Sequence, residues 1–254
     1  MKLLVDIGNT RVKWAFDDGS GLVAPGEAVH RGKPATCATE FIAALQPIPD
    51  SAYAINVAGA TLETAIANEL KVCFGLELNR VRTAEQFGDV VNGYNSTGQL
   101  GADRWAAIVG AWQLYRQSVC IVDAGTAVTI DAVSRDGRHQ GGIIVPGLAL
   151  MRASLNNDTS DILGFVRQSE GPLSGGEWFG RDTLSAVERG AVFMLAAAID
   201  RAVAEMSKTA ETPIVVMTGG DADIVGPLIA HPVEYCPLLV LEGLRHLVTG
   251  SVDA

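Results

Sequence analysis

One short string occurs twice in this chain of 254 residues, and its recurrence constrains the fold more than any other feature. Leu3-Leu4-Val5-Asp6-Ile7-Gly8-Asn9 returns as Cys120-Ile121-Val122-Asp123-Ala124-Gly125-Thr126, with Asp123 standing 117 residues after Asp6, close to half the length. Leu3 to Val5 reads as a buried strand, and Val12, Trp14 and Phe16 alternate with Arg11, Lys13 and Ala15 as a second strand would. Val128, Ile130 and Ala132 alternate with Thr129, Asp131 and Val133 in the same way. Two halves that each open strand, Asp-x-Gly turn, strand predict a duplicated α/β domain, with the two turns facing each other across a cleft. Coincidence between two common hairpins would give the same letters.

The turn itself carries chemistry. Gly8-Asn9 tolerates positive φ, so the backbone is expected to fold back sharply and aim successive N–H groups into one concavity suited to a phosphate. A carboxylate beside bound phosphates is repelled unless a cation stands between them, so on this reading Asp6 implies a metal. An ordinary hairpin with a capping aspartate explains the same residues.

Charge narrows the partners. Against 19 Lys and Arg stand 29 Asp and Glu, a net charge of −10, which argues against nucleic acid and anionic membrane because both need a basic face. An anionic ligand must then be held by local features. Cys37, Cys73, Cys120 and Cys236 are widely spaced without a Cys-x-x-Cys, as in a reduced cytoplasmic protein. The opening residues do not resemble a signal peptide, and no apolar run is long enough to span a bilayer.

Along the first half, a third strand is expected around Gly21 to His30, a short helix over Thr39 to Leu45 and a strand over Ala52 to Val57. A helix over Thr61 to Cys73, capped by Thr61, and a strand over Asn79 to Thr83 complete a mixed sheet. Trp105, Ile108, Val109 and Trp112 recur at helical spacing, which puts Asp103 and Arg104 in the first turn of a strong helix. Capping explains Asp103. Arg104 opposes the helix dipole and so points to an anionic ligand, or more simply to an ion pair with a neighbour.

In the second half a hairpin over Val119 to Ser134 turns at Arg135-Asp136-Gly137 and returns as His139 to Val145, followed by a short helix over Leu148 to Leu155. Asn156 to Gly180 lacks periodicity and reads as a functional flap or a dimer-contacting loop. A long amphipathic helix opens at Gly180-Arg181-Asp182-Thr183, Pro213 to Met217 is a strand, Ala222 to Ile229 a helix, and Leu238 to Val248 the terminal helix. Gly-x-x-x-x-Gly-Lys-Ser/Thr and Gly-x-Ser-x-Gly are absent, and the four histidines stand apart without metal-ligand spacing. Two Asp-x-Gly turns, a carboxylate at a helix start and the Gly219-Gly220 turn together suit a nucleotide site, for which a phosphotransferase is the simplest enzyme.

Four strings in order resemble one family. Asp6-Ile7-Gly8-Asn9-Thr10, Leu100-Gly101-Ala102-Asp103-Arg104-Trp105, Val122-Asp123-Ala124-Gly125-Thr126-Ala127 and Gly141-Gly142-Ile143-Ile144-Val145-Pro146-Gly147 are similar to those of type III pantothenate kinases, of the acetate and sugar kinase, heat-shock chaperone and actin superfamily. The resemblance covers essentially the whole chain. It implies two ribonuclease H-like (actin-like ATPase) domains with mixed sheets, here 1–117 and 118–254, duplicated and with a nucleotide cleft between them.

The implied reaction is ATP-dependent phosphorylation of the 4′-hydroxyl of pantothenate, the first step of coenzyme A synthesis. By the same resemblance Asp6, Ile7, Gly8, Asn9, Thr10, Arg11, Val12 and Lys13 line the ATP phosphates, with Asp6 towards Mg²⁺ and Thr126 as a further phosphate contact. Asp103 is the base, and Tyr94, Gly101, Ala102, Asp103, Arg104 and Thr183 hold pantothenate. Asp123 binds a monovalent cation, K⁺ or NH₄⁺. A homodimer with the active site near the subunit interface is implied as well. The stretch Asn95 to Gln99 lacks a proline that many members carry. A different phosphotransferase of the same superfamily, or a non-catalytic accessory factor for a regulator, are the competing readings.

Overall fold

The structure, a computed structural model, describes residues 1–30, 33–158, 178–208 and 211–250. The chain forms two compact units, Met1–Tyr115 together with the segment from Leu238, and Arg116–Pro237.

In the first unit the strands are β1 (Lys2–Ile7), β2 (Arg11–Asp17), β3 (Leu22–Val29), β4 (Ser51–Asn56) and β5 (Leu78–Arg80), joined by helices α1 (Pro34–Ala44) and α2 (Ala60–Phe74). The sheet order is β3-β2-β1-β4-β5, with the first hairpins antiparallel and β4 and β5 added in parallel. Leu3, Val5 and Ile7 of β1 share a core with Cys37, Ala38 and Phe41 of α1 and Leu62, Ile66 and Leu70 of α2. The period of two in a strand therefore puts Leu4 and Asp6 on the opposite face.

A short hairpin of β6 (Gln86–Phe87) and β7 (Val90–Val91) precedes α3 (Ala102–Tyr115). Every residue of α3 from Arg104 to Trp112 is buried, so this helix is enclosed on all sides rather than laid on a surface.

The second unit repeats the plan. Its strands are β8 (Val119–Ala124), β9 (Ala127–Val133), β10 (His139–Pro146), β11 (Ile214–Thr218) and β12 (Val233–Tyr235), with α4 (Leu148–Asp158), α5 (Thr183–Met206) and α6 (Ala222–Val225) between them. The order β10-β9-β8-β11-β12 and the strand directions match those of the first sheet position for position. The duplication expected from the sequence is thus present as two ribonuclease H-like sheets. Val122 and Ala124 share a core with Leu195 and Ile199 of α5, which leaves Asp123 on the other face, as Asp6 is in its own sheet.

The last helix, α7 (Leu239–Thr249), belongs to the first unit, whereas the expected division put all of 118–254 in the second. The cause is a backbone-to-backbone crossing of α3 and α7. A Cβ on Gly243 would lie 1.8 Å from Ala106 O, and one on Gly110 would lie 2.8 Å from Leu239 O. Leu244 and Leu247 bury alongside. Small residues that let two helices touch are invisible to a reading along the chain.

Other local expectations change for identifiable reasons. Helix α1 starts at Pro34, at the first helical position, where the missing N–H costs nothing. Gly59, with φ of 90°, caps α2 instead of Thr61. Helix α6 is one turn long and gives way to a 3-10 turn, Gly226–Leu228, containing Pro227. Strands β6, β7 and β12 are too short to show a period. Most of Asn156 to Gly180 lies outside the described residues.

Candidate active site

The Asp6 turn is held by three polar contacts. Gly8 N donates to Arg11 O at 3.0 Å, and His30 at the end of β3 closes over the tip, its backbone N donating to Thr10 O at 3.1 Å and its ring Nε2 lying 2.9 Å from Gly8 O. The expected mechanism of the turn needs correction here. Neither Gly8 nor Asn9 has a positive φ, and the Gly8 N–H is spent on Arg11. Any N–H donors for a phosphate must come from further along, at exposed Asn9 and half-buried Thr10. Glycine is still favoured at 8, because a Cβ would press to 3.3 Å from Arg11 O.

Asp6 stands opposite Lys13 in the β1–β2 register, so an acid and a cation share one face beside the turn. Arg11 instead pairs with Glu27 of β3, and Val12 is buried in the core. His30 was not legible as part of this turn, since 22 residues separate it from Gly8.

The matching turn in the second unit is tighter by one residue. Gly125 N donates to Ala127 O at 3.2 Å, and Asp123 stands opposite Thr129 where Asp6 faces Lys13. Two further segments are pressed onto it. A Cβ on Gly147 would lie 2.2 Å from Gly125 O, and one on Gly219, whose φ is +95°, would lie 2.5 Å from the Ala124 backbone. Gly147 N donates to Thr126 O at 3.0 Å and Asp221 N to Ala124 O at 2.9 Å. Thr126 itself is exposed.

At the start of α3 the chain gathers the other predicted residues. Trp105 N donates to Gly101 O at 2.9 Å, opening the helix, and the Asp103 carboxylate folds back so that Oδ1 accepts from Arg104 N at 2.7 Å. That carboxylate lies over Gly101, where a Cβ would meet Asp103 Oδ1 at 2.5 Å. Arg104 is buried, only 7% exposed, and its Nη1 donates to Tyr94 Oη at 2.9 Å while the guanidinium lies 5.4 Å from the Tyr94 ring centre. Tyr94, Gly101, Asp103 and Arg104 therefore lie together, with Ala102 as the first residue of α3. The stretch without the expected proline forms a 3-10 turn, Thr97–Gln99, leading into Leu100.

Thr183 lies in the second unit, as the first residue of α5, and is exposed. Asp182 caps that helix reciprocally with Ser185. The Ser185 N–H and hydroxyl hold the Asp182 carboxyl below its usual range.

Among the described residues no group of three or more His, Cys, Asp or Glu side chains converges as a metal cage. Mg²⁺ at phosphates is usually held by one or two protein carboxylates together with phosphate oxygens.

An acid and a lysine beside a glycine turn, with a second acid at a helix start next to a buried Arg-Tyr pair, suit phosphoryl transfer to a small hydroxylated acid. The sequence profile of type III pantothenate kinase matches residues 2–205. The chain belongs to this family. A type III pantothenate kinase from Azoarcus sp. (strain BH72) is 37% identical over 254 residues, covering 100% of this chain and 92% of its own. One from Chromobacterium violaceum is 37% identical over 249 residues, covering 96% and 98%. Among solved structures, a protein assigned as a 2-dehydro-3-deoxygalactonokinase from Sinorhizobium meliloti superposes with a TM-score of 0.63 at 12% identity, over 100% of this chain and 96% of that one. That likeness bears on the fold alone. No helix among the described residues is long and apolar enough to cross a membrane.

Proposed function

We propose that this chain transfers the γ-phosphoryl group of ATP to the 4′-hydroxyl of pantothenate, opening coenzyme A synthesis, with Asp103 as the base. Membership of the type III pantothenate kinase family supports the reaction. The observation that carries the residue roles is the cluster at the start of α3, where Asp103 lies over Gly101 and Arg104 meets Tyr94.

Phosphoryl transfer asks for positioning and charge neutralisation more than for covalent chemistry. Asp103 accepts a hydrogen bond from the pantothenate hydroxyl, orients its lone pair for in-line attack and takes the proton late. Arg104 and Tyr94 hold the carboxylate end of pantothenate, with Gly101, Ala102 and Thr183 as further contacts. A guanidinium suits a carboxylate because two donors reach it at once. The turn from Asp6 to Lys13 takes the ATP phosphates, Lys13 lending charge and Asn9 and Thr10 lending donors, and Thr126 adds a hydroxyl.

A Mg²⁺ ion would be held by Asp6 together with the phosphates, and when bound it neutralises charge on the transferring group. A monovalent cation, K⁺ or NH₄⁺, would be held by Asp123. Activity that is the same with and without those ions would remove Asp123 from that role.

We further infer a homodimer. Ile143 and Ile144 on edge strand β10 and Phe193 and Met194 on α5 are exposed apolar side chains, and Trp178 packs edge-on against Phe193 with ring centres 6.0 Å apart. Sedimentation of a 26.6 kDa species at micromolar concentration would overturn this. The four free cysteines fit the reducing cytoplasm. The proposed reaction is tested by a coupled ATP and pantothenate assay of the purified protein, in which no pantothenate-dependent ADP release would refute it.

A further inference from the structure

Two polar residues with no assigned role join the two sides of the cluster around Arg104. Thr83, just after β5, donates its hydroxyl to Leu100 O at 2.8 Å, immediately ahead of Gly101. Its neighbour Ala84 accepts at 3.3 Å from Nδ2 of Asn92, a buried side chain only 8% exposed, and Asn92 Oδ1 accepts from Tyr94 N at 3.0 Å. Asn92 N donates to Glu85 O at 2.9 Å, which fixes the asparagine on the same stretch. The Arg104 to Tyr94 bond closes the path. A ring of hydrogen bonds therefore runs from Leu100 through Thr83, Ala84, Asn92, Tyr94 and Arg104 back to the start of α3.

We propose that Thr83 and Asn92 are positioning residues that set the distance between Tyr94 and the Gly101 to Arg104 turn, and through it the affinity for pantothenate. The proposal rests on the reading that this cluster holds pantothenate. Its logic is that Tyr94 sits on a polar loop after a two-residue strand, which local structure alone cannot fix. Buried Asn92 uses both ends of its amide within the ring, where an unmet polar atom would be costly. Thr83 ties the same loop to the helix that carries Asp103. Neither residue needs to touch the substrate.

The test compares Thr83→Val, which keeps shape and removes the hydroxyl, with Thr83→Ser, which restores it, alongside Asn92→Ala. Steady-state kinetics for both substrates and thermal melts are recorded for each purified protein beside the wild type. The expected result is a pantothenate KM raised roughly three- to tenfold in Thr83→Val and Asn92→Ala, the size of one lost hydrogen bond. The KM for ATP stays within about twofold, and Thr83→Ser returns pantothenate KM to the wild-type value. Should Asn92→Ala fail to fold, the Thr83 pair decides alone. Unchanged pantothenate KM in Thr83→Val, or equal rises for ATP and pantothenate, overturns the proposal while leaving the kinase reading intact. A wild type that does not turn over pantothenate overturns both.

Discussion

The guanidinium of Arg104 donates to the phenolic oxygen of Tyr94 at 2.9 Å, from a position almost wholly removed from solvent. A buried cation fixed by an aromatic hydroxyl is pre-aligned for a carboxylate, so the two residues should act as one unit on pantothenate. Arg104→Ala is expected to raise the pantothenate KM by about one to two orders of magnitude, and Tyr94→Phe by less, as expected for a charged against a neutral hydrogen bond. The double variant should be little worse than Arg104→Ala alone, because residues in contact are not additive. Steady-state kinetics check this, and an effect confined to ATP would contradict it.

Gly101 gives a second probe of Asp103, one that leaves the carboxylate chemically intact. A methyl group there would meet Asp103 Oδ1 at 2.5 Å and the Val57 side chain only at 4.0 Å, and the Gly101 backbone is not left-handed. Gly101→Ala should therefore fold with a Tm close to that of the wild type while displacing the carboxylate. Turnover is expected to fall by about one to two orders of magnitude, with ATP affinity unchanged, since small misplacements of a positioning group are costly. Wild-type turnover in this variant would show that the orientation of Asp103 does not matter.

The alkaline limb of stability should carry the mark of one buried thiol. Burial, and secondarily the charge of Asp131, pushes the Cys120 thiol up to about 12. In the unfolded chain a thiol ionises near pH about 8.5. Between those values the unfolded state binds fewer protons than the folded one, so stability falls as pH rises, by about 1.4 kcal/mol per pH unit, and is fully present below the lower value. Urea denaturation at about pH 8 and about pH 10 checks this, with a shallower pH dependence expected in Cys120→Ala. A wild-type and variant difference independent of pH would contradict it.

Both sheets were legible because Asp6 and Asp123 end short apolar runs followed by strict alternation, a signal that survives without any knowledge of contacts. The two turns were legible as a pair but not in their geometry. Gly8 reads as a left-handed residue, and its actual constraint is the approach of Arg11 O. His30 reads as isolated because its bond to Gly8 O depends on the β2–β3 hairpin.

Asn56 shows the same limit. It ends β4, donates to Gly59 O at 2.9 Å and accepts from Ala58 N at 2.8 Å, shaping the turn into α2 that the sequence credits to Thr61. The return of α7 to the first unit rests on Gly110 and Gly243, two glycines whose meaning exists only where the helices cross. Tyr94, Gly101, Asp103 and Arg104 were found through the family resemblance, and the structure adds that the tyrosine and the arginine touch.

The most direct test of the account is the rate of ADP formation from ATP and pantothenate, with Mg²⁺ and K⁺ present, by the wild type and by Asp103→Asn, alongside ATP binding to each. The account predicts pantothenate-dependent turnover in the wild type, a loss of about two to four orders of magnitude in the variant, and ATP affinity that hardly changes. Equal turnover in the two proteins, or loss of ATP binding in step with loss of rate, would contradict Asp103 as the base.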